Sequence, residues 1–142
     1  MLEIRNLTKK YKGGKVAVDN LSLTVEAGDI FAFIGHNGAG KSTTIKSVVG
    51  ILEFDSGDIF IDGHSVKDEP MACKKDLAYI PDNPDIYDHL TGIQYLNFIG
   101  DVFDVDSATR TAKIDDYATR FDIKKNLGDM VGSYSHGMKQ KL

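Results

Sequence analysis

The residues whose types and spacing could do chemistry are concentrated in residues 35–43, which read Gly-His-Asn-Gly-Ala-Gly-Lys-Ser-Thr. This stretch, called here the 35–43 loop, matches G-x-x-x-x-G-K-[ST], the pattern of a loop that cradles the phosphates of a nucleoside triphosphate. Glycine has no Cβ, so the backbone N–H groups can turn inward and approach phosphate oxygens closely. Lys41 would place a mobile positive charge on the β- and γ-phosphates, and Ser42 would offer a hydroxyl ligand to Mg²⁺. The candidate nucleotide-binding residues of the loop are Gly35, His36, Asn37, Gly38, Ala39, Gly40, Lys41, Ser42 and Thr43.

The segments on either side of the loop favour the same interpretation. Residues 30–34 are an unbroken apolar run of strand length, which predicts a strand covered on both faces of a parallel sheet. The apolar residues after the loop fall at helical spacing and predict a helix whose positive N-terminal end points at the phosphates. They are Ile45, Val48, Val49 and Leu52. The dinucleotide-binding pattern G-x-G-x-x-G is absent, so a dinucleotide cofactor is the weaker interpretation.

Composition and charge exclude several other classes of protein. The chain has 142 residues, of which 42% are apolar and 27% are charged, which is typical of a globular protein with a real core. Its net charge of -4 gives no electrostatic footprint for nucleic acid. Cys73 is the one cysteine, which rules out an internal disulfide and fits a reducing compartment. No apolar run is long enough to cross a bilayer, so at a membrane a partner would have to provide the spanning part.

The first half of the chain predicts a β-layer beside the loop. Residues 2–11 and 16–25 read as two strands joined by a hairpin turn, and residues 58–62 predict another strand. Residues 69–75 predict a short helix with a proline in its first turn, where a missing N–H has no cost. Residues 77–80 predict a second short buried strand.

From Thr91 the pattern becomes helical, and Thr91 itself is a candidate N-cap. A second helix is predicted from residues 106–107. The residues expected on the apolar faces of the two helices are Tyr95, Phe98, Ile99 and Val102, then Ile114, Tyr117, Ala118 and Phe121. This wide apolar surface is interpreted as core, with a docking surface for another protein as the alternative.

Residues outside the loop also carry possible chemistry. Tyr11 stands at a strand end beside a glycine turn, where it is either a sheet-edge aromatic or a face on which adenine stacks. Asp82 follows a predicted strand, at the end where open α/β sheets place ligands. It is either a residue that faces Mg²⁺ or the attacking water, or an ordinary loop aspartate. Ser135 and Gly137 open a basic helix that can bind an anion, although Ser-x-Gly is also ordinary loop composition.

Together these motifs resemble the ATP-binding cassette (ABC) family, specifically its ATPase subunit, over essentially all of the chain. Tyr11 matches the family's adenine-stacking aromatic, and the 35–43 loop matches its phosphate loop. Residues 135–140 match its signature motif, and Asp82 stands where the family usually has a glutamine that contacts Mg²⁺ and couples to the membrane partner. The resemblance implies ATP and Mg²⁺ as cofactors. It implies Lys41, Asp82 and Ser135 as catalytic residues, with Ser42 and Asp82 as the metal ligands.

The fold class that follows from this resemblance is α/β. We expect a P-loop NTPase (RecA-like) core with an N-terminal antiparallel β subdomain and a helical subdomain. Residues 1–142 would be a partial ABC ATPase domain, with the β subdomain and core in residues 1–90 and the helical subdomain in residues 91–142.

Two departures from the family pattern bear on function. The usual signature is Leu-Ser-Gly-Gly-Gln, whereas this chain has Tyr134, His136 and Met138 in place of the Leu, the first Gly and the Gln. These replacements are similar to those of a bacterial exporter-like branch. Asp82 is shorter than glutamine and charged, which leaves the coupling role of its loop open.

The resemblance also implies chemistry that these residues do not carry. The family's Mg²⁺-binding aspartate, its adjacent catalytic glutamate and its switch histidine all follow the signature motif, and no apolar run ending in Asp-Glu occurs here. None of the four histidines is positioned to replace the missing one. Because hydrolysis needs a residue that orients water and a metal that neutralises the developing charge, we expect this stretch alone to bind nucleotide without turning it over. We interpret it as the N-terminal part of a longer protein.

The resemblance predicts a subunit that hydrolyses ATP and powers a membrane transporter, an exporter in our interpretation. Two such subunits, identical or different, would close head to tail on ATP, so that Ser135 and Gly137 of one touch the γ-phosphate held by the other. An integral membrane permease would be the second partner, and the subunit would lie at the cytoplasmic face of the membrane as a peripheral protein. The alternatives are a soluble family member that serves translation or DNA repair, and a nucleotide-gated regulatory module that never hydrolyses ATP.

Overall fold

Alternating apolar and polar residues at the start of the chain form two long strands, as their spacing predicts. In the computed structural model, which describes residues 1–142, β1 (Leu2–Lys10) and β2 (Val16–Val25) pair antiparallel. The turn between them includes Gly13 and Gly14, both at positive φ, a conformation that glycine adopts without strain. The predicted hairpin is therefore confirmed.

Two further strands complete one antiparallel sheet. β3 (Ser56–Ile61) pairs with the other edge of β1, and β4 (His64–Ser65) extends the sheet beyond β3. The strand order is β2-β1-β3-β4. Four buried apolar residues of this sheet form one core cluster, namely Ile4, Leu7, Val18 and Ile59.

The helix predicted after the 35–43 loop is present as α1 (Lys41–Val48), but the residues that it buries differ from the predicted face. Thr44 and Ser47 are buried, whereas Ile45 is 37% exposed. The Thr44 hydroxyl donates to the carbonyl of Gly40 at 3.0 Å, and Ser47 bonds back in the same way within the helix. Because the helix itself satisfies both hydroxyls, these polar side chains can be buried at little cost.

The prediction of a buried strand at residues 30–34 is wrong for this chain. Residues 30–34 belong to no strand, and the side chains of Ile30 and Ile34 are 102% and 94% exposed. The predicted strand at residues 77–80 is also absent, and Ile80 is 71% exposed. A strand forms only beside another strand that offers free N–H and C=O groups, and β1 to β4 bond to one another instead.

The structure divides into two units, Met1–Tyr79 and Ile80–Leu142. The first ends with α2 (Pro70–Lys75), which confirms the predicted short helix with a proline in its first turn. The sequence-based boundary after residue 90 concerns subdomains of the family fold and stays a prediction.

The second unit begins its regular structure at a strong local signal. α3 (Gly92–Val102) is capped by Thr91, whose hydroxyl accepts from the Gln94 N–H while the Gln94 side chain accepts from the Thr91 N–H. This reciprocal pair satisfies two N–H groups at the helix start and confirms the predicted N-cap. α4 (Ser107–Arg120) is capped in a similar way by Asp106.

The apolar surface of these helices is only partly buried. Ala118, Ile123 and Leu127 form the buried cluster, against which Ile93, Leu96, Ile114 and Leu142 pack. The expectation that Tyr117 and Phe121 are buried is wrong, since they are 51% and 50% exposed. Two 3₁₀ turns, Lys124–Asn126 and Val131–Ser133, lead into α5 (His136–Lys141). None of the helices combines the length and the apolar content that a membrane-spanning helix requires.

Candidate functional site

The 35–43 loop touches the sheet most closely at Gly40, the residue that precedes α1. Gly40 has a φ of +85°, and a Cβ at this position would lie 2.2 Å from the carbonyl oxygen of Ala17 in β2. Both the conformation and the space therefore require glycine. Gly38 also has a positive φ, +88°, but a Cβ there would meet nothing within 4 Å.

Most backbone N–H groups in the second half of the loop have no acceptor within the chain; the exception is the N–H of Ala39, which donates to the carbonyl of His36 at 3.2 Å. Gly38, Gly40 and the first three residues of α1 donate no hydrogen bond, and no side chain caps the helix. The first N–H groups of any helix lack partners inside it and carry partial positive charge. The loop and the start of α1 thus present a row of donors that suits a phosphate.

The ammonium group of Lys41 lies at the same loop. Its Nζ donates to the carbonyl oxygens of Gly35 at 2.6 Å and His36 at 2.8 Å. The His36 ring is held in turn by a 2.9 Å contact between its Nδ1 and the carbonyl of Asn37. One full positive charge and several unpaired N–H donors therefore occupy one short stretch of backbone.

The structure brings Tyr11 to this loop. Tyr11 follows β1 and is 43% exposed, and its hydroxyl lies 3.3 Å from the Thr43 hydroxyl. The ammonium of Lys9 lies 5.8 Å from the centre of the Tyr11 ring. The aromatic face therefore stands next to the candidate phosphate site with part of its surface open, as both interpretations of Tyr11 require.

The two candidate metal ligands fall in different units. Ser42 is exposed in the first turn of α1, whereas Asp82 is exposed in the second unit, in a segment without regular structure. No group of three or more His, Cys, Asp or Glu side chains is gathered into a metal site. Both side chains offer the hard oxygen atoms that Mg²⁺ prefers.

Ser135 is exposed and caps α5. Its Oγ accepts a hydrogen bond from the Met138 N–H at 3.3 Å, so the hydroxyl proton stays free to be donated elsewhere. A Cβ built at Gly137 would meet nothing within 4 Å. The start of the signature motif is thus open to an approaching group.

Sequence reasoning missed the contacts of Tyr134, which precedes Ser135. Tyr134 is 6% exposed, and its hydroxyl donates to the carbonyl of Asn126 at 2.5 Å. Its hydroxyl also lies 2.3 Å from the place where a Cβ on Gly92 would be. Burial raises the pKa of the Tyr134 phenol, and the nearby Asp129 carboxylate adds to this effect. The signal in the sequence was the tyrosine where the family has leucine, although its partner Gly92 lies far from it along the chain.

Asp88 makes a second link to the signature motif. Its carboxylate pairs with the Lys139 ammonium at 2.5 Å, and its carbonyl accepts from the Gly132 N–H at 3.0 Å. The Lys139 side chain is only 19% exposed, so this pair is partly shielded from water. Sequence reasoning did not single out Asp88.

Comparison with known proteins gives a consistent result. A family model described as "ABC transporter" matches residues 18–142. The "Uncharacterized ABC transporter ATP-binding protein YhcH" of Bacillus subtilis (strain 168) is 36% identical over 142 residues, 100% of this chain and 45% of that protein. The "SkfA peptide export ATP-binding protein SkfE" of the same organism is 30% identical over 142 residues, 100% of this chain and 58% of that protein. The chain thus spans about half the length of the curated relatives it matches.

A solved structure supports the fold. The protein described as "Structure of ATP binding subunit of ABC transporter" superposes with a TM-score of 0.91 at 32% sequence identity, covering 99% of this chain and 58% of that chain. The sequence-predicted fold class, an α/β P-loop NTPase fold with an antiparallel β subdomain and helices, is confirmed by this likeness.

Proposed function

Because this chain belongs to the ABC transporter family, we propose that it is the N-terminal part of an ATP-hydrolysing subunit that powers a membrane transporter. The 35–43 loop binds the β- and γ-phosphates of ATP, with Lys41 moving from its carbonyl partners to the phosphate oxygens. The adenine ring stacks on Tyr11. The observation that carries this proposal is the row of unpaired N–H donors beside the Lys41 ammonium.

The substitution Lys41→Ala tests ATP binding directly. Removing the Lys41 ammonium should abolish ATP binding in equilibrium dialysis, because hydrogen bonds to charged groups contribute about 1.5–3 kcal/mol each. Lys46→Ala is the matched control, since Lys46 is an exposed lysine in the last turn of the same helix. Undiminished ATP affinity in Lys41→Ala would defeat the assignment of the loop.

Ser42 in the first unit and Asp82 in the second are each a candidate ligand of Mg²⁺, taken separately. The chemistry of each fits, since a hydroxyl and a carboxylate are both hard oxygen ligands. Bound there, the ion would neutralise charge that develops on the phosphates. Lys41 and the loop N–H groups fix the phosphates in place, and Ser42 supplies one oxygen ligand to the ion.

We place Ser135 and Gly137 at a contact with the γ-phosphate held by a second copy or a related subunit. The free hydroxyl proton of Ser135 and the open surface at Gly137 suit such a contact. ATP then binds the closed dimer more tightly than the open pair, which is how a ligand can drive closure. Two or three charge-assisted hydrogen bonds of about 1.5–3 kcal/mol each reach the ~5.5 kcal/mol that shifts a two-state equilibrium from mostly open to mostly closed.

Dimer closure is tested with Ser135→Ala. This variant should keep the ATP affinity of the monomer and lose ATP-driven dimerisation in sedimentation experiments. Ser133→Ala is the matched control, because the Ser133 hydroxyl bonds locally to the carbonyl of Met130. Normal ATP-dependent dimers of Ser135→Ala would refute the role of this serine across the interface.

Hydrolysis in this proposal depends on groups outside these 142 residues, as the half-length match to the relatives suggests. The exposed apolar side chains of Ile30, Ile34 and Ile80 would also gain cover from a longer chain, at about 1.5–3 kcal/mol for each fully buried side chain. The 142-residue protein should therefore bind ATP and release no phosphate, as a malachite green assay can measure. Phosphate release at the rate of a longer form would contradict this division of labour.

The membrane subunit is the remaining partner, and the helical unit is its proposed docking region. Tyr87 and Phe98 are 51% and 42% exposed, and their rings meet edge to face at a centroid distance of 5.6 Å. The direction of transport is proposed as export, on the signature replacements Tyr134 and Met138 and on the likeness to the peptide export protein. Co-purification from membranes tests the docking region, since the variant Phe98→Glu should lose the membrane partner.

A further inference from the structure

The residue directly before Ser135 is the best anchored part of the signature motif. Tyr134 is 6% exposed and has a partly buried hydrogen bond, whereas Ser135 and Gly137 are exposed. The bond between Ser135 Oγ and the Met138 N–H, at 3.3 Å, is long for a hydrogen bond and cannot fix the serine by itself. The Ser135 carbonyl also accepts from the Lys139 N–H at 3.0 Å, and Lys139 pairs with Asp88, so α5 holds Ser135 on one side. On the other side, the position of Ser135 depends on what holds Tyr134.

A ladder of backbone hydrogen bonds brings the chain before Tyr134 against the start of α3. The N–H of Ile93 donates to Leu127 at 2.8 Å, and the N–H of Val131 donates to Leu90 at 2.8 Å. This ladder ends at Gly132, whose N–H donates to the carbonyl of Asp88 at 3.0 Å. Between Gly132 and Ser135, the side chain that is buried in this unit is that of Tyr134.

Gly92 makes this anchor possible. A Cβ at residue 92 would lie 2.3 Å from the Tyr134 hydroxyl oxygen and 3.2 Å from the ring carbon that carries it. No side chain larger than that of glycine fits while the hydroxyl keeps its bond to the Asn126 carbonyl. The tyrosine at the position of the family's leucine and the glycine at residue 92 are therefore two halves of one arrangement.

We propose that Tyr134 is a positioning residue that fixes the direction of Ser135 through its hydroxyl bond to Asn126 in the space left by Gly92. This inference rests on the proposed function, in which Ser135 contacts the γ-phosphate across a dimer. Successive Cα atoms are about 3.8 Å apart, so a shift of the Tyr134 backbone is passed to Ser135 almost undiminished. Small displacements of a contact group cost much of its effect, because the contact depends on distance and direction.

The test compares variants of the protein at a temperature where circular dichroism shows each to be folded. Tyr134→Phe removes the hydroxyl and should weaken ATP-dependent dimerisation about fivefold, the effect of losing one net hydrogen bond of about 1 kcal/mol. Gly92→Ala forces the Tyr134 hydroxyl out of place and should weaken ATP-dependent dimerisation at least as much. In both variants the ATP affinity of the monomer should stay unchanged.

A compensating pair separates positioning from general damage. Tyr134→Leu removes the hydroxyl and the outer ring, so adding it to Gly92→Ala should restore dimerisation to the level of Tyr134→Leu alone. Gly128→Ala is the matched control, because Gly128 lies in the same unit and a Cβ there meets nothing within 4 Å. Additive losses in the double variant would overturn the inference.

Ser135→Ala, measured in parallel, distinguishes a failure of the proposed function from a failure of the positioning role of Tyr134. Normal dimers of Ser135→Ala would refute the proposed function itself. Impaired dimers of Ser135→Ala together with normal dimers of Tyr134→Phe would overturn only the positioning role.

Discussion

The close approach of Gly40 to β2 makes Gly40→Ala a sharp test of how the 35–43 loop is held. Alanine there must adopt a φ near +85° and place its Cβ 2.2 Å from the carbonyl oxygen of Ala17. The left-handed backbone alone costs a residue with a Cβ about 1–2 kcal/mol. The overlap is with a backbone atom in a paired strand, so its relief requires the loop to move and adds about 1–3 kcal/mol, as in other overpacked sites.

Gly38→Ala is the matched control within the same loop. Gly38 has a φ of +88°, but a Cβ there meets nothing within 4 Å, so only the backbone cost applies. We expect Gly38→Ala to lower the free energy of unfolding by about 1–2 kcal/mol and Gly40→Ala by about 2–5 kcal/mol. The start of α1 would move in Gly40→Ala, which should also weaken ATP binding.

Differential scanning calorimetry without nucleotide measures the difference. Each kcal/mol lost from the free energy of unfolding should lower the unfolding temperature by about 2–4 °C for a protein of this size or somewhat larger. Gly40→Ala should therefore melt several degrees below Gly38→Ala, and isothermal titration with ATP gives the accompanying loss of affinity. Equal melting temperatures for the two variants would refute the contact between Gly40 and Ala17.

Three further predictions follow from other contacts. Tyr11→Ala should weaken ATP binding about three- to tenfold, as expected for one stacking contact, and should spare pyrophosphate; equal losses for both ligands in calorimetry would remove the stacking role. Thr91→Ala breaks the capping box of α3 and should lower the free energy of unfolding by about 1 kcal/mol in urea, whereas an unchanged midpoint would contradict the cap. Hydrogen bonds from Thr109 lower the pKa of the Asp106 carboxyl from its ordinary value. The stability that Asp106 gives to α4 should therefore be present at neutral pH and be lost as pH falls through its folded-state pKa, and Asp106→Asn should abolish this acid dependence in unfolding experiments.

Features encoded by neighbouring residues were predictable from the sequence. The capping box at Thr91 needs only a hydroxyl and an amide three residues apart, so its pattern is complete within four residues. The hairpin between β1 and β2 follows from its two glycines, whose positive φ matches a tight turn. The start of α1 is equally local, since it follows directly from the glycine-rich loop.

Features that depend on distant partners were not predictable in the same way. The apolar run at residues 30–34 indicates that two faces need cover, but it cannot supply a neighbouring strand, and in this structure Ile30 and Ile34 stay exposed. The face of α1 was predicted only in part: Val48 packs against the core, but Ile45 is exposed, and Thr44 and Ser47 satisfy their own hydroxyls and enter the interior. A prediction from helical periodicity counts Thr44 and Ser47 as polar, because it takes no account of the hydrogen bonds from their hydroxyls to the preceding turn.

The candidate site shows the same division. The donors of the 35–43 loop were predicted because one short pattern contains them all. The fit between Tyr134 and Gly92 joins residues that are far apart in the chain, and only the fold shows that they meet. A tyrosine that departs from the family pattern indicated that something differed there, without indicating what.

The two carbonyl oxygens that hold the Lys41 ammonium give the loop a threshold for its ligand. Any compound that recruits this side chain has to outcompete two neutral dipoles at once. Fully charged phosphoryl oxygens do so, since charge-assisted bonds are roughly twice as strong as neutral ones. In the proposed function, adenosine, which carries no such oxygen, would leave the lysine where it is, so the loop would select its ligands by formal charge.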